Sequence, residues 1–205
     1  MIPELTFAEL AAVFGEQGVL RTDPALLPEG LRHDETRGFL SAVGFPSSDV
    51  QGLVVVDEQF PRAVRGMREA SHFTEYGWEL PAEAADLFLL GEFQGAAMGV
   101  IGIDGASGAV RMVSELDMSR AVLLNSDISR LTYFLYVLRR DEHLYSWEHY
   151  DEHEQPDPES PEPDTMGQAA ERIRQEFQRA DPAALEEGEN VWDAVLEDIA
   201  RGEWT

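Results

Sequence analysis

The chain has 205 residues, of which 43% are apolar, so it can form a core and is not expected to be disordered as a whole. Its 40 acidic residues outnumber 15 basic ones, all of them Arg, and the formal charge is −25. Such a chain repels phosphate backbones, which argues against a nucleic-acid partner and favours a basic protein partner. The simpler alternative is that the charge only keeps the protein in solution.

The chain contains no Cys, which excludes disulfides, thiol catalysis and thiolate metal sites. Its first ten residues, MIPELTFAEL, have neither a basic stretch nor a long apolar run. No segment approaches the roughly 18 apolar residues that a membrane span needs. We therefore expect a cytoplasmic protein with no membrane partner.

Two helices are predicted in the N-terminal part. Thr6 and Glu9 have the spacing of a capping box, and Gly15 is a suitable stop. A second helix is predicted over 34–43, with Asp34 as its N-cap and Gly44 in a left-handed position after its end.

A meander of short strands is predicted next. The β-branched run Leu53–Val56 indicates its first strand. Further strands are predicted at 86–93, 97–104, 109–114 and 120–124, with a turn at 104–108. Because the connections are short, neighbouring strands should be antiparallel. The mixed, aromatic stretch 60–81 has no period that assigns it to an element.

A long apolar helix is predicted after the sheet, with Ser126 or Asp127 as its cap. Its apolar stripe consists of Ile128, Leu131, Leu135 and Leu138. We expect this helix to be buried against the sheet.

The character of the chain then changes at an acidic, proline-rich stretch, QPDPESPEPD at 155–164, which cannot form a core. Beyond it, Thr165 with Gln168 and Asp181 with Pro182 are predicted helix starts. A last helix, capped by Asn190, carries Trp192.

The predicted fold class is α+β: an antiparallel meander sheet packed by N-terminal helices and by the long helix after the sheet, plus C-terminal helices beyond an acidic linker. We divide the chain into an α+β domain at 1–150, a linker at 151–164 and a helical segment at 165–205. Trp192 would lose its burial in water, so this helical segment should pack back on the domain.

Sequence patterns of catalysis are missing. The chain has no GxxxxGK[ST], GxSxG or HExxH pattern. Pairs of carboxylates occur by chance among 40 acidic residues, and nothing in the sequence marks a pocket that would shift their pKa values. We therefore predict no catalytic residue and no cofactor.

His149 and His153 stand four positions apart among carboxylates, so a helix would place them on one side. With Asp151 or Glu152 they could bind a divalent cation weakly. The simpler interpretation is a solvated acidic segment that happens to contain His, and we predict no metal ion.

The segment Phe73–Glu79 combines aromatic rings with carboxylates. Exposed rings beside carboxylates suit an interface with a basic protein. The alternative is that the rings complete the core beneath a loop.

These pieces, in this order, resemble the SUKH superfamily, and within it the fourth SUKH family of immunity proteins. The segment 35–46, ETRGFLSAVGFP, is similar to the family's early helix and the turn that ends it. The segments that resemble the family's strand, hairpin and helix entry are Leu89–Gly91, Ile101–Asp104, Gly108–Val110 and Leu124–Ser126 leading into Ile128, Leu131, Phe134 and Leu138. Trp192 with Val195 and Leu196 also fits. Asp127 and the acidic insert at 141–164 depart from the pattern.

The resemblance implies a non-catalytic immunity protein that binds and neutralises a cognate toxin. Many such toxins are nucleases or nucleic-acid deaminases, and we expect the partner to be basic. Candidate toxin-binding residues combine carboxylates and rings: Glu75, Tyr76, Trp78, Glu79, Asp141, Glu142, Asp151 and Glu152. Residues expected to maintain the fold are Gly44, Pro46, Gly91, Asp104, Gly108, Asn125, Ser126 and Trp192. The alternatives are a scaffold or regulatory protein of the same fold without a toxin, and a small enzyme or metal-dependent protein. The oligomeric state is not predicted.

Overall fold

A computed structural model describes residues 5–47, 52–95, 98–146, 166–186 and 190–203. The α-helices in these ranges are α1 (Phe7–Phe14), α2 (Asp34–Ala42), α3 (Ser71–Thr74), α4 (Ile128–Asp141), α5 (Met166–Ala180) and α6 (Val191–Arg201). The strands are β1 (Val19–Leu20), β2 (Phe45–Pro46), β3 (Val54–Val56), β4 (Leu87–Gln94), β5 (Met98–Asp104), β6 (Val110–Ser114) and β7 (Val122–Asn125). Among the described residues, no helix combines the length and the apolar character needed to cross a bilayer.

Strands β3 to β7 form one antiparallel sheet in chain order, which confirms the predicted α+β fold with a meander. A second sheet, formed by β1 and β2, was not predicted because each strand has only two residues. The register of β4 on β5 shifts between Leu89 and Gly91. A Cβ atom on Gly91 would lie 2.1 Å from the carbonyl oxygen of Val55, so only glycine allows β3 to approach β4 at this bulge.

One face of the five-stranded sheet, which we call the helix-covered face, packs against α4, α5 and α6. Four aromatic rings meet there: Phe93 of β4, Phe134 of α4, Phe177 of α5 and Trp192 of α6. The Trp192 ring lies 5.6, 5.0 and 5.5 Å from the rings of Phe93, Phe134 and Phe177, each time edge to face. This cluster joins the C-terminal helices to the sheet.

Two buried polar contacts fix the same helices in place. The Trp192 Nε1–H donates to the carbonyl oxygen of Leu124 in β7, at 3.1 Å. The carboxylate of Asp181, only 1% exposed, accepts from Asn125 Nδ2 at 3.1 Å, from the Ser126 backbone N–H at 2.8 Å and from Ser126 Oγ at 2.6 Å. The Asp181 carboxylate thereby serves as acceptor for three donors at the junction of β7 and α4.

As predicted, Asp181 stands at the N-cap of a helix that begins at Pro182, but its side chain does not cap that helix. Residues Pro182–Leu185 form a short 3-10 helix, and the Asp181 side chain makes no capping hydrogen bond to it. The carboxylate turns instead to donors that lie 55 and 56 positions away in the chain. A buried carboxylate with three donors is better satisfied than one that caps a single turn.

The other helix starts follow side-chain hydrogen bonds to the first turn. The capping box of Thr6 and Glu9 is confirmed, and Asp127 rather than Ser126 caps α4. At α2 the prediction was wrong by one position: His33 is the N-cap, because its backbone is extended and its Nδ1 accepts from the Thr36 N–H at 3.3 Å. Asn190 caps α6 as predicted, whereas Thr165 lies outside the described residues.

The opposite face of the sheet, which we call the loop-covered face, carries its own apolar cluster. Residues 60–86 cross this face and contribute buried side chains to it, among them Met67, Ala70 and Ala84. Helix α3 lies in this segment. The stretch that sequence periodicity left unassigned is therefore the cover of the sheet's second face.

Replacing Asp181 should destabilise the protein more than its position near a loop suggests. In Asp181→Ala, three donors at the junction of β7 and α4 lose their acceptor, so we expect the free energy of unfolding to fall by about 2–4 kcal/mol. Urea denaturation measures this change. The control is Glu171→Ala on the exposed surface of α5, which should change stability by less than about 0.5 kcal/mol. Equal losses in the two variants would contradict the role assigned to Asp181.

Candidate functional site

The predicted toxin-binding residues fall on opposite faces of the sheet. Glu75, Tyr76, Trp78 and Glu79 belong to the segment that crosses the loop-covered face. Asp141 ends α4, which packs on the helix-covered face, and Glu142 follows it. The structure therefore does not unite the two groups into one surface. Asp151 and Glu152 lie outside the described residues.

Arginine side chains neutralise the group at the end of α4. The Arg140 guanidinium binds Asp141 through Nε at 2.8 Å and through Nη2 at 2.7 Å, and it also binds Glu176 at 2.9 Å. The hydrogen bonds that Arg140 donates, first to Asp141 and then to Glu176, raise the pKa of Arg140. Arg139 pairs with Glu142. These two carboxylates are thus engaged within the fold before any partner arrives.

The two predicted carboxylates on the loop-covered face differ from this pair in exposure and in partners. Glu75 and Glu79 are exposed. Within the part of the chain that the structure describes, neither carboxylate forms a hydrogen bond or an ion pair. Their negative charges are available to a cationic partner, which the charges of Asp141 and Glu142 are not.

The two rings of this segment have different environments. Tyr76 is 69% exposed, whereas Trp78 is partly buried against the apolar cluster of the loop-covered face. The imidazole of His72 lies between them, with its centroid 5.9 Å from the Tyr76 ring and 4.7 Å from the Trp78 ring. The environment of Trp78 is therefore that of a core residue, whereas the environment of Tyr76 suits a residue that contacts a partner.

A cavity of about 360 Å³ opens beside α3 on the same face. Five of its lining residues are acidic and only Arg65 is an arginine, so the lining has a formal charge of −4 with His72 neutral. The acidic residues are Asp57, Glu58, Glu69, Glu75 and Glu92. Its apolar lining consists of Val55, Val56, Ala70, Leu89 and Val100.

The charges inside the cavity are only partly compensated. Arg65 pairs with Asp57, and that hydrogen bond raises the pKa of Arg65. The Glu92 Oε1 atom lies 3.8 Å from His72 Nδ1, too far for a hydrogen bond. Among the described residues, the buried atoms Arg65 Nε and His72 Nδ1 have no hydrogen-bond partner. The cavity therefore retains excess negative charge, and two of its lining residues each have a buried nitrogen atom without a partner.

The residues expected to maintain the fold lie in turns and junctions. Gly44 and Pro46 connect α2 to the small sheet, in which Pro46 pairs with Val19. Asp104 accepts from the backbone N–H groups of Ala106 and Ser107 at 2.9 and 2.7 Å, which closes the turn between β5 and β6.

Gly108 ends that turn with φ 77°, and a Cβ atom there would lie 2.3 Å from His33 Nδ1. Asn125, Ser126 and Trp192 make the junction contacts to Asp181 and Leu124. Of the predicted fold-maintaining residues, Gly91 alone lines the acidic cavity.

Sequence reasoning missed most of the cavity. Asp57, Arg65, His72 and Glu92 come from separate parts of the chain and meet only when residues 60–86 fold over the sheet. One signal was present: Glu92 is the single charged residue in the apolar strand LFLLGEFQ. A charge in such a strand needs either solvent or a polar site on that face.

No group of three or more His, Asp or Glu side chains in the described ranges could hold a metal ion. His149 and His153, the residues of the weak metal site considered above, lie outside those ranges. What the described surface offers is an acidic cavity, unpaired carboxylates and an exposed ring, which together suit contact with a cationic protein surface.

Comparison with protein-family models identifies a family that this chain matches. The family model of the SUKH-4 immunity protein matches residues 5–198. The match runs from α1 into α6 and so includes both the sheet and the C-terminal helices. No curated protein and no solved structure matches the chain.

Two alanine substitutions should separate the contact ring from the packing ring. Trp78→Ala removes a ring that packs on the loop-covered face, and we expect a loss of about 2 kcal/mol in the free energy of unfolding. Tyr76→Ala removes a mostly exposed ring and should cost less than about 0.5 kcal/mol. Urea denaturation of both variants provides the measurement. A loss for Tyr76→Ala as large as that for Trp78→Ala would contradict the assignment of Tyr76 to the contact surface.

Proposed function

We propose that this chain, which belongs to the SUKH-4 immunity protein family, binds a cognate toxin with a basic surface and neutralises it without catalysis. Membership of the family implies a toxin-neutralising immunity function, and proteins of this kind are generally not enzymes. The observation that supports the basic partner is the set of unpaired carboxylates, Glu75 and Glu79, beside the exposed Tyr76.

The toxin class that fits this surface is an enzyme acting on nucleic acid, either a nuclease or a nucleic-acid deaminase. Such an enzyme needs Lys or Arg side chains where the phosphate backbone lies. A carboxylate surface can occupy or flank that cleft and so exclude the backbone. Because its formal charge is −25, this protein itself repels nucleic acid, and we propose that it contacts only the toxin.

Charge and ring have separate tasks in this proposal. Unpaired carboxylates raise the rate of encounter with a basic partner through long-range attraction. An aromatic ring that becomes desolvated in the complex slows dissociation. We place both tasks on the loop-covered face, because Arg139 and Arg140 already neutralise Glu142 and Asp141 near the helix-covered face.

Co-expression tests the function itself. The chain is expressed together with each toxin gene that neighbours its own gene, and growth of the host and recovery of a stoichiometric complex are measured. We expect one neighbouring product to arrest growth alone and to be neutralised in the complex. A toxin that remains active although the chain is bound would contradict neutralisation, and a bound partner without toxicity would favour the scaffold alternative.

The rate of association with that toxin should depend on salt and on Glu75 and Glu79. We expect the double variant Glu75→Gln, Glu79→Gln to associate at least about threefold more slowly at low ionic strength, and the difference to shrink as salt rises. Stopped-flow fluorescence measures the rate constant.

The matched control carries the same change of net charge at exposed carboxylates of α5 and α6, Glu171→Gln with Glu197→Gln. It should associate at close to the original rate. If both double variants slow association equally, only the total charge matters and the assignment of the site to Glu75 and Glu79 is wrong.

A further inference from the structure

Within the described residues, part of the loop-covered face has no cover from the protein's own chain. Val55, Glu92, Val100 and Val113 are direct cross-strand partners across β3, β4, β5 and β6, so their side chains share this face. Val100 and Val113 are fully buried under the segment 60–86, whereas Val55 is 40% exposed and the Glu92 side chain is 38% exposed. Along this row of residues the cover therefore stops between β5 and β4, although it still reaches Leu87 and Leu89 at the start of β4.

The exposed part of this face also includes the next cross-strand pair of β4 and β5. Gln94 lies two residues beyond Glu92 on the same face, and its cross-strand partner is Met98. Gln94 is exposed and Met98 is 51% exposed. We call the four residues Val55, Glu92, Gln94 and Met98 the open end of the sheet.

The acidic cavity adjoins this open end. Val55 and Glu92 belong to both, and His72 links Glu92 to the exposed Tyr76 ring. The open end thus combines apolar side chains, which favour contact with another protein, and a concave acidic site.

Charge determines which kind of partner can cover this surface. Arg65 is already paired with Asp57, so Glu58, Glu69, Glu75 and Glu92 keep a surplus of negative charge. A purely apolar or acidic segment would remove water from these carboxylates without compensating them, which is costly. A segment that carries a cation compensates them as it buries Val55 and Met98.

We propose that the open end of the sheet and its cavity are the docking surface for a segment of the toxin that inserts an arginine into the cavity. This proposal rests on the proposed function, since it names the part of the toxin that this site receives. The arginine guanidinium pairs with Glu92, and flanking apolar side chains of the toxin cover Val55 and Met98. Arginine suits the site better than lysine, because its planar group pairs with a carboxylate through two hydrogen bonds and stacks on rings such as those of His72 and Tyr76.

A small peptide tests the docking surface without the toxin. The probe is an acetylated, amidated peptide with one arginine between two leucines, titrated into the full-length, isotope-labelled chain by NMR. We expect weak binding, with chemical-shift changes confined to β3, α3 and the end of the β4–β5 hairpin near Gln94 and Met98. The same peptide with citrulline in place of arginine should bind at least about fivefold more weakly, because it lacks the positive charge.

Three variants locate the effect. Glu92→Gln should weaken binding of the arginine peptide by about fivefold. Val55→Arg, at a position that is 40% exposed, should abolish it by charge and bulk. The control Glu115→Gln removes an exposed carboxylate outside the cavity and should leave binding within about twofold. Equal binding of the two peptides, or unchanged binding by both Glu92→Gln and Val55→Arg, would overturn the proposal.

The toxin itself separates this proposal from the proposed function. If the unaltered chain neutralises the toxin and Val55→Arg does so with the same affinity, the docking surface is elsewhere and the immunity function stands. If Val55→Arg binds the toxin at least about tenfold more weakly while Glu115→Gln does not, the docking surface is supported. Failure of the unaltered chain to neutralise any neighbouring toxin overturns the proposed function and, with it, the identity of the occupant.

Discussion

The contact of Trp192 with three phenylalanine rings is the interaction on which the rest of the structure depends. It brings together Phe93 of the sheet, Phe134 of the long helix and Phe177 of the helix that follows the acidic stretch. The helices that carry these rings bury the helix-covered face of the sheet. That face is therefore occupied by the chain itself, and the exposed part of the sheet lies on the other side.

The placement of the arginines then decides which acidic residues remain available. Basic residues are scarce, with 15 Arg for 40 acidic residues, but the carboxylates near the end of α4 have partners, since Arg139 and Arg140 hold Glu142 and Asp141. On the loop-covered face Arg65 is taken up by Asp57. The unpaired negative charge and the uncovered apolar surface thus coincide, and this coincidence supports a basic protein partner better than the total charge does.

Local sequence signals predicted much of the fold. Thr6 and Asp127 begin helices through hydrogen bonds within four positions, and the meander follows from short turns. The contacts of the Asp181 carboxylate were not predicted, because its hydrogen-bond donors are distant in the chain. The cover of the second face had no period to reveal it, because residues 60–86 consist of short helical turns and loops. The candidate site was predicted only in part. The composition of the segment 73–79 indicated Glu75 and Tyr76 as candidates. The cavity was not predicted, because only the fold brings Asp57, His72 and Glu92 together.

Hydrogen–deuterium exchange of the chain with and without its bound toxin tests the central claim most directly, because it reports on both faces of the sheet at once. The account predicts that the toxin slows exchange in β3, in residues 71–79 and at the end of the β4–β5 hairpin near Gln94 and Met98. Exchange on the exposed sides of α5 and α6 should not change. Protection confined to α4, α5 and α6, with none in residues 71–79, would show that recognition occurs on the helix-covered side and would contradict it.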